Sequence, residues 1–356
     1  MFRRIIKRLG LFLFFTLIFL GYSQKAYALG ECGLSCCIAG ALSSGATLAR
    51  NFGFTLQYEN TSMKTIREGT SRIRPDTVLD NEASKWPAIP AQIKEFTVPT
   101  EMRMQKWSLL GAYPATERFQ FLAIIPFIKN EMDMRMITRS SAGITVKMDH
   151  VMDTVDGLGD ITLMGLYTAY TDAPIRPLQR LTLGIGAKTP TGKNNEKTAS
   201  GSYIHTMMQS GTGSWDPIFL MNYIRAFYPL VLQGNFVYQF TTKGDEGYEF
   251  GDQITLDLIA RYQVGNYTNL GLEINGLYAG RDKDHDGKYS SPETSTLDNV
   301  ANTGIRSVYM SPTVQLKIPW TPASMDMKYQ LPIYQEANGI QEVVDRRWLL
   351  SASFAF

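Results

Sequence analysis

Along most of the chain apolar and polar residues take turns with a period of two. In DQITLDLIARYQV, Ile254, Leu256, Leu258, Ala260, Tyr262 and Val264 make one face, while Thr255, Asp257, Arg261 and Gln263 fill the other. LVLQGNFVYQF sets Leu230, Leu232, Phe236, Tyr238 and Phe240 against Gln233, Asn235 and Gln239. SMDMKYQLPIY sets Met325, Met327, Tyr329, Leu331 and Ile333 against Asp326, Lys328 and Gln330. This rhythm predicts strands whose two faces meet different surroundings. About twelve segments carry it, beginning near Asn51, Glu101, Glu117, Gly157, Pro177, Gly211, Pro229, Gly251, Asn266, Thr303, Pro322 and Asp345. Most have the ~9 to 11 residues that a tilted strand needs to cross a bilayer.

The connections assign sides. YPATE, DAPIRP, FYP, VGN and PWTP are short turns, whereas residues 60–100, 130–156, 190–210, 242–250, 281–302 and 336–344 read as longer polar loops. Short turns on one side and long loops on the other are the asymmetry of bacterial outer-membrane barrels, with the turns periplasmic. An even strand count also puts both ends of the barrel in the periplasm. The expected fold class is therefore all-β: a transmembrane, antiparallel, up-and-down β-barrel of about twelve strands. A secreted β-sandwich shares the alternation, but it explains neither the loop asymmetry nor twelve strands of similar length.

The last strand, RRWLLSASFAF, must pair with the first, because an open edge in lipid leaves backbone groups without partners. Trp348, Phe354 and Phe356 on its apolar face are assigned to barrel closure and to recognition by the barrel assembly machinery. Tyr113, Phe227, Tyr228, Tyr267 and Trp320 are expected in the periplasmic aromatic girdle.

The first residues add a leader. MFRRIIKRLGLFLFFTLIFLGYSQKAYALG has a basic start, an apolar run and the small-x-small site Ala26-Tyr27-Ala28, so residues 1–28 read as a signal peptide. An N-terminal anchor is the alternative, but the run is short of the ~20 residues that a spanning helix needs. Residues 29–49 form a segment carrying Cys32, Cys36 and Cys37, suited to a disulfide, to disorder or to plugging the lumen, and residues 50–356 form the barrel. A formal charge of +2 on 356 residues carries no nucleic-acid footprint.

From Gly157 onward, GLGDITLMGLY, LGIGAKTPTG, GTGSWDPIF, GYEFGD, SVYMSPTVQL, LPIYQEANGIQ and SASFAF occur in this order. Over these roughly 200 residues the chain resembles the outer-membrane family of meta-pathway phenol-degradation transporters. The resemblance implies a barrel that moves small hydrophobic or aromatic compounds, and it brings no catalytic assignment.

Within DKDHDGKYSSPE, Asp282, Asp284, Asp286, Lys288 (through its carbonyl), Ser290 and Glu293 have the spacing of a calcium loop, around the turn glycine Gly287. Bound Ca2+ would stiffen an outer loop or bridge to lipopolysaccharide phosphates; a plain solvated loop is the alternative. The alternation turns Arg180, Lys188, Asp257, Arg261, Glu273, Asp326, Lys328 and Arg347 toward the lumen. Their mixed signs suggest a salt-bridged interior rather than a filter of one sign. Sixteen methionines, with NEMDMRM and HTMMQ in or near outer loops, suit adaptable apolar packing, with copper(I) as the sharper alternative. The three histidines, His150, His205 and His285, stand in no nucleophile–base–acid order, so no enzyme is expected. The expected partners are outer-membrane lipid and lipopolysaccharide, the assembly machinery and a small-molecule substrate, and the expected role is a passive outer-membrane channel. A surface structural or interaction barrel with a calcium-stabilised loop is the alternative.

Overall fold

The computed structural model describes residues 52–355 except 174–176, 199–200 and 290. The leader, the cysteine segment, Ser290 and Phe356 lie outside the described residues. The wall consists of β1 (Gly53–Gly69), β3 (Lys94–Pro114), β4 (Phe119–Arg139), β7 (Thr162–Thr171), β8 (Gln179–Lys188), β9 (Asp216–Phe227), β10 (Leu230–Gln239), β12 (Gln253–Val264), β13 (Thr268–Ala279), β15 (Ile305–Lys317) and β16 (Ala323–Ala355). Each bonds antiparallel to the next in this order, and β16 returns to β1. The ring is closed.

β16 is a hairpin. Its Ser324 pairs with Lys317 and its Ala337 with Ile305; from Ala337 the chain then pairs down β1 until Ala355 meets Gly53. The reversal falls at Gly339, whose φ of +62 suits a residue without a Cβ. Ten single strands and two limbs of β16 thus make twelve staves among the described residues. Along the free edge of β4, β7 is continued outward by β6 (Val155–Leu158) and β5 (Thr145–Val151), so one stave is built from three pieces.

The loop expectations need correction. Residues 60–100 hold the upper part of β1, the short β2 (Ser71–Ile73), a helix α1 (Pro75–Ala83) and the start of β3. Much of 130–156 is strand, and 336–344 is the tight β16 turn. The period of two persists there, but its sense inverts. Up to Trp107 and Phe127 the outward residues of β3 and β4 are apolar, as at Leu109, Tyr113, Phe121 and Ile125. Beyond that level Arg103, Glu131 and Asp133 face out while Met102, Met104, Met132 and Met134 are buried within. The staves therefore rise past the lipid into water, where an apolar outer face is no longer favoured. The helix seals the top of this side, packing Val78 and Leu79 on Ile66, Phe96, Val98 and Ile137.

The wall is lowest at β8 and β9, where Lys188 pairs with Asp216. The described residues of 189–215 fold against the barrel there on glycine contacts: a Cβ on Gly192 would lie 3.0 Å from the Gly159 carbonyl carbon, and one on Gly159 would lie 3.2 Å from the Ser210 carbonyl oxygen. Within the segment, a Cβ on Gly211 would lie 2.3 Å from the carbonyl of Gly192. Gly211→Val is expected to destabilise the barrel by about 3 kcal/mol through overpacking, read as a lower urea midpoint in micelles with the heat-modifiable gel shift retained. An unchanged midpoint would refute the tight contact.

Candidate functional site

Register assembles a polar band across the lumen. Glu59 on β1 stands opposite Lys106 on β3, and Thr61 opposite Arg347 on β16, so one buried carboxylate lies between two cations. Glu59 is 3.0 Å from Lys106 Nζ and 2.8 Å from Arg347 Nε. Arg347 also donates to Thr61 Oγ1 at 2.9 Å and to Gln330 Oε1 at 2.5 Å. The chain of contacts continues as Gln330 and Asn275 donate in turn, to Asn275 Oδ1 at 3.1 Å and to Asp257 Oδ1 at 2.8 Å. A second group joins Glu273 to Lys328 and, at 3.6 Å, to Arg261. Gly271 makes room for it, since a Cβ there would lie 2.3 Å from Thr313 Oγ1 and 3.2 Å from Arg261 Cγ.

Across the ring Lys188 Nζ lies 3.0 Å from Asp216 and 3.6 Å from Asp160. Asp160 in turn accepts the Thr212 amide at 2.8 Å and the Gly192 amide at 2.9 Å, which ties the 189–215 segment to the wall.

Above the band lies an apolar chamber. Met63, Met102, Met104, Met207, Leu277 and Tyr309 line much of it, and Arg347 is its charged boundary. The cavity is about 70 Å³, several times the ~10–15 Å³ that admits one water. Two outer segments meet over the mouth. Thr97 on β3 receives Ser295 as a bridge partner, Tyr289 donates its hydroxyl to the Asn194 carbonyl at 2.7 Å, and His205 bonds Asp298. On the opposite side of the lumen from Glu273, an inward apolar strip of Leu110, Leu122, Ile124, Leu166, Ile218 and Leu220 runs beside the band.

Of the lumen residues expected from the alternation, Lys188, Asp257, Arg261, Glu273, Lys328 and Arg347 lie in these networks. Asp326 lies opposite Gln315 nearer the short turns, and Arg180 opposite Ile224, both half-buried. Sequence reasoning missed Glu59, Lys106, Asp160 and Asp216. The first was legible in the odd-numbered run Thr55, Gln57, Glu59, Thr61, whose strand continues into a stretch read as loop. Of the closure residues, Trp348 stacks on Tyr329 with centroids 4.1 Å apart and Phe354 on Phe54 at 5.0 Å.

The DKDHDGKYSSPE carboxylates point to separate partners. Asp282 accepts from the Tyr248 hydroxyl at 2.7 Å and the Gly251 amide at 2.9 Å. Asp284 accepts the Gly287 and Tyr289 amides, Asp286 meets Lys243 at 3.1 Å, Lys288 reaches Glu246, and Glu293 is exposed. Among the described residues no three His, Cys, Asp or Glu side chains gather as a metal site.

Residues 105–318, more than half of the chain, match the family described as "Putative MetA-pathway of phenol degradation". The chain belongs to this family. It is similar to the COG4313 outer membrane channel from Pseudomonas putida F1, at 15% identity and a TM-score of 0.52, over 86% of this chain and 95% of that one. Looser likenesses are to a Pseudomonas aeruginosa FadL homologue (10% identity, TM-score 0.44, 88% and 92% of the two chains) and to the Pseudomonas putida toluene transporter TodX (10%, 0.42, 93% and 96%). No curated protein sequence matches. The protein is an outer-membrane β-barrel.

Two outcomes are expected. Glu59→Gln strips the shared carboxylate from Lys106 and Arg347 and should cost about 3–5 kcal/mol in urea unfolding, with partial recovery when Lys106→Met is added. Equal midpoints for the wild type and the single variant would contradict the buried network. In the outer loop, burial lifts the Asp282 carboxyl from its ordinary 3.8 to about 7, against the opposing bonds from Tyr248 and Gly251. The unfolded group thus ionises first as pH rises. Loop packing is fullest below pH 3.8, weakens up to about 7 and stays weak above. Exchange protection of the Gly251 amide, corrected for intrinsic rate, should fall across this window and stay level in Asp282→Asn.

Proposed function

We propose that the barrel is a passive conduit for small hydrophobic, aromatic molecules across the outer membrane. The observation that carries this reading is the apolar chamber under the outer loops, with methionine walls that adapt to ligand shape and an apolar strip leading onward beside the band. Methionine sulfur also makes favourable contacts with aromatic rings. Family membership and the fold shared with an outer membrane channel support the same reading.

The charged band gives the conduit its selectivity. Ions and sugars meet side chains already bonded to one another, whereas an apolar ring needs only displacement of Met102, Met104 or Leu220. Because the chamber is already formed, little of the protein has to be ordered when a substrate enters.

The test is uptake of labelled phenol at limiting concentration by intact cells, whose lipopolysaccharide leaflet resists apolar solutes, together with ion conductance of the purified barrel in planar bilayers. Expression should speed uptake several-fold with little ion current, and Met102→Lys combined with Leu220→Lys should abolish the gain while the gel shift persists. Uptake no faster than in cells without the barrel would sink the reading and leave a surface structural barrel.

A further inference from the structure

A file of aromatic rings runs from the outer surface to the chamber. Tyr203, on the 189–215 segment, is half-buried, and the ammonium of the exposed Lys197 lies 4.4 Å from the centre of its ring. That ring is 5.0 Å from Tyr289, which comes from the 281–302 segment. Tyr289 meets Tyr248 edge-on at 5.6 Å, and Tyr248 meets Phe250 in the same manner at 5.0 Å. Phe250 lines the chamber. A ring in the place of Tyr289 is thus separated from the chamber by Tyr248 and Phe250 alone along this file.

The three tyrosines are held differently. Tyr203 donates its hydroxyl to Glu246 at 3.1 Å and Tyr248 donates to Asp282 at 2.7 Å, so both rings are fixed without Tyr289. The Tyr289 ring is seated by these two neighbours and by its hydroxyl, which donates to the Asn194 carbonyl at 2.7 Å. Its backbone does not depend on the ring. Residues 285–288 are exposed, and their turn is closed by Asp284, which accepts the Gly287 and Tyr289 amides at 2.9 Å each. Rotation of one side chain therefore empties the seat and leaves its walls standing.

The side chain of tyrosine is p-cresol on a backbone. Tyr289 consequently displays a bound phenol: a ring only 7% exposed between two fixed aromatic rings, with a backbone carbonyl accepting the hydroxyl. We propose that this seat is a capture site for phenols at the outer mouth, and that Tyr289 is its built-in placeholder. An incoming phenol takes the space between Tyr203 and Tyr248, donates its hydroxyl to the Asn194 carbonyl and turns the Tyr289 side chain out. The exchange also breaks the Tyr289–Asn194 tie between the two outer segments. The part this site plays in uptake rests on the conduit reading; the binding itself does not.

The experiment titrates the full-length barrel in mild detergent with p-cresol and with toluene, followed by ligand-observed NMR at matched free concentrations. Displacing Tyr289 weakens apparent binding to the wild type, so Tyr289→Ala should bind p-cresol roughly tenfold more tightly. Tyr289→Phe, whose ring lacks the Asn194 bond, should show a smaller gain. Toluene has no hydroxyl to donate and should gain little in either variant, and adding Tyr203→Ala to Tyr289→Ala should remove most of the p-cresol gain. The gel shift shows that each barrel is folded. The chamber is common to all these proteins, so the differences report the outer site. Equal p-cresol affinity in the wild type and both single variants, or gains as large for toluene as for p-cresol, would overturn the site. Absence of phenol uptake by cells would instead sink the conduit reading and leave the binding result in place.

Discussion

In hydrocarbon a strand can satisfy its backbone only through its neighbours, and this demand sets the rest of the structure. It forces β16 to meet β1, and it explains why the last element doubles back at Gly339: one more limb is required to bring the edge round. Closure also fixes register. A slip of β3 by one residue against β1 would carry Lys106 from the lumen into lipid, bring Trp107 inside and leave Glu59 without its partner. The two faces hold each other in place.

A ring of twelve staves is wider than side chains of ordinary length can fill, since eight already suffice for a packed interior. Here the space is taken by the longest side chains available, Arg347, Lys106, Lys328 and Arg261, and each needs a counter-charge because burial strips its water. Sharing Glu59 and Glu273 between two cations apiece limits the number of charges that must be buried. Relative to an apolar filling such a band contributes little stability, but it confines the lumen to one arrangement of rotamers.

Much of this was legible as pattern. The alternation in β10, β12 and β16 located their outward faces, and the short turns do gather at one end of the barrel. What failed was the region beyond the lipid: 60–100 and 130–156 look polar on average, yet they contain strands whose apolar residues turn inward to Met102, Met132 and the helix. Polarity averaged over a segment cannot separate a solvated loop from a strand that has exchanged its faces. The DKDHDGKYSSPE motif shows a different limit. Its spacing suits a cation, but the partners that Asp282 and Asp286 meet, Tyr248 and Lys243, lie more than thirty residues away in sequence and are brought near only by the pairing of β11 (Tyr248–Glu249) with β14 (Lys283–Asp284).

On the proposed reading, energetics choose the route past the band. Separating Arg347 from Glu59 would strand a buried charge at a cost of several kcal/mol, slowing passage by orders of magnitude. Sliding a ring along Leu110, Ile124, Leu166 and Leu220 breaks no ion pair and exchanges one apolar contact for another. The lumen thus holds two kinds of residue, charges already paired with one another, with Lys188, Asp160 and Asp216 among the strip's own strands, and apolar residues that can give way. A molecule able to hydrogen-bond on every side gains nothing from the second kind and cannot pry open the first. Exclusion of polar solutes then requires no moving part, only lumen charges that are already matched and an apolar strip beside them.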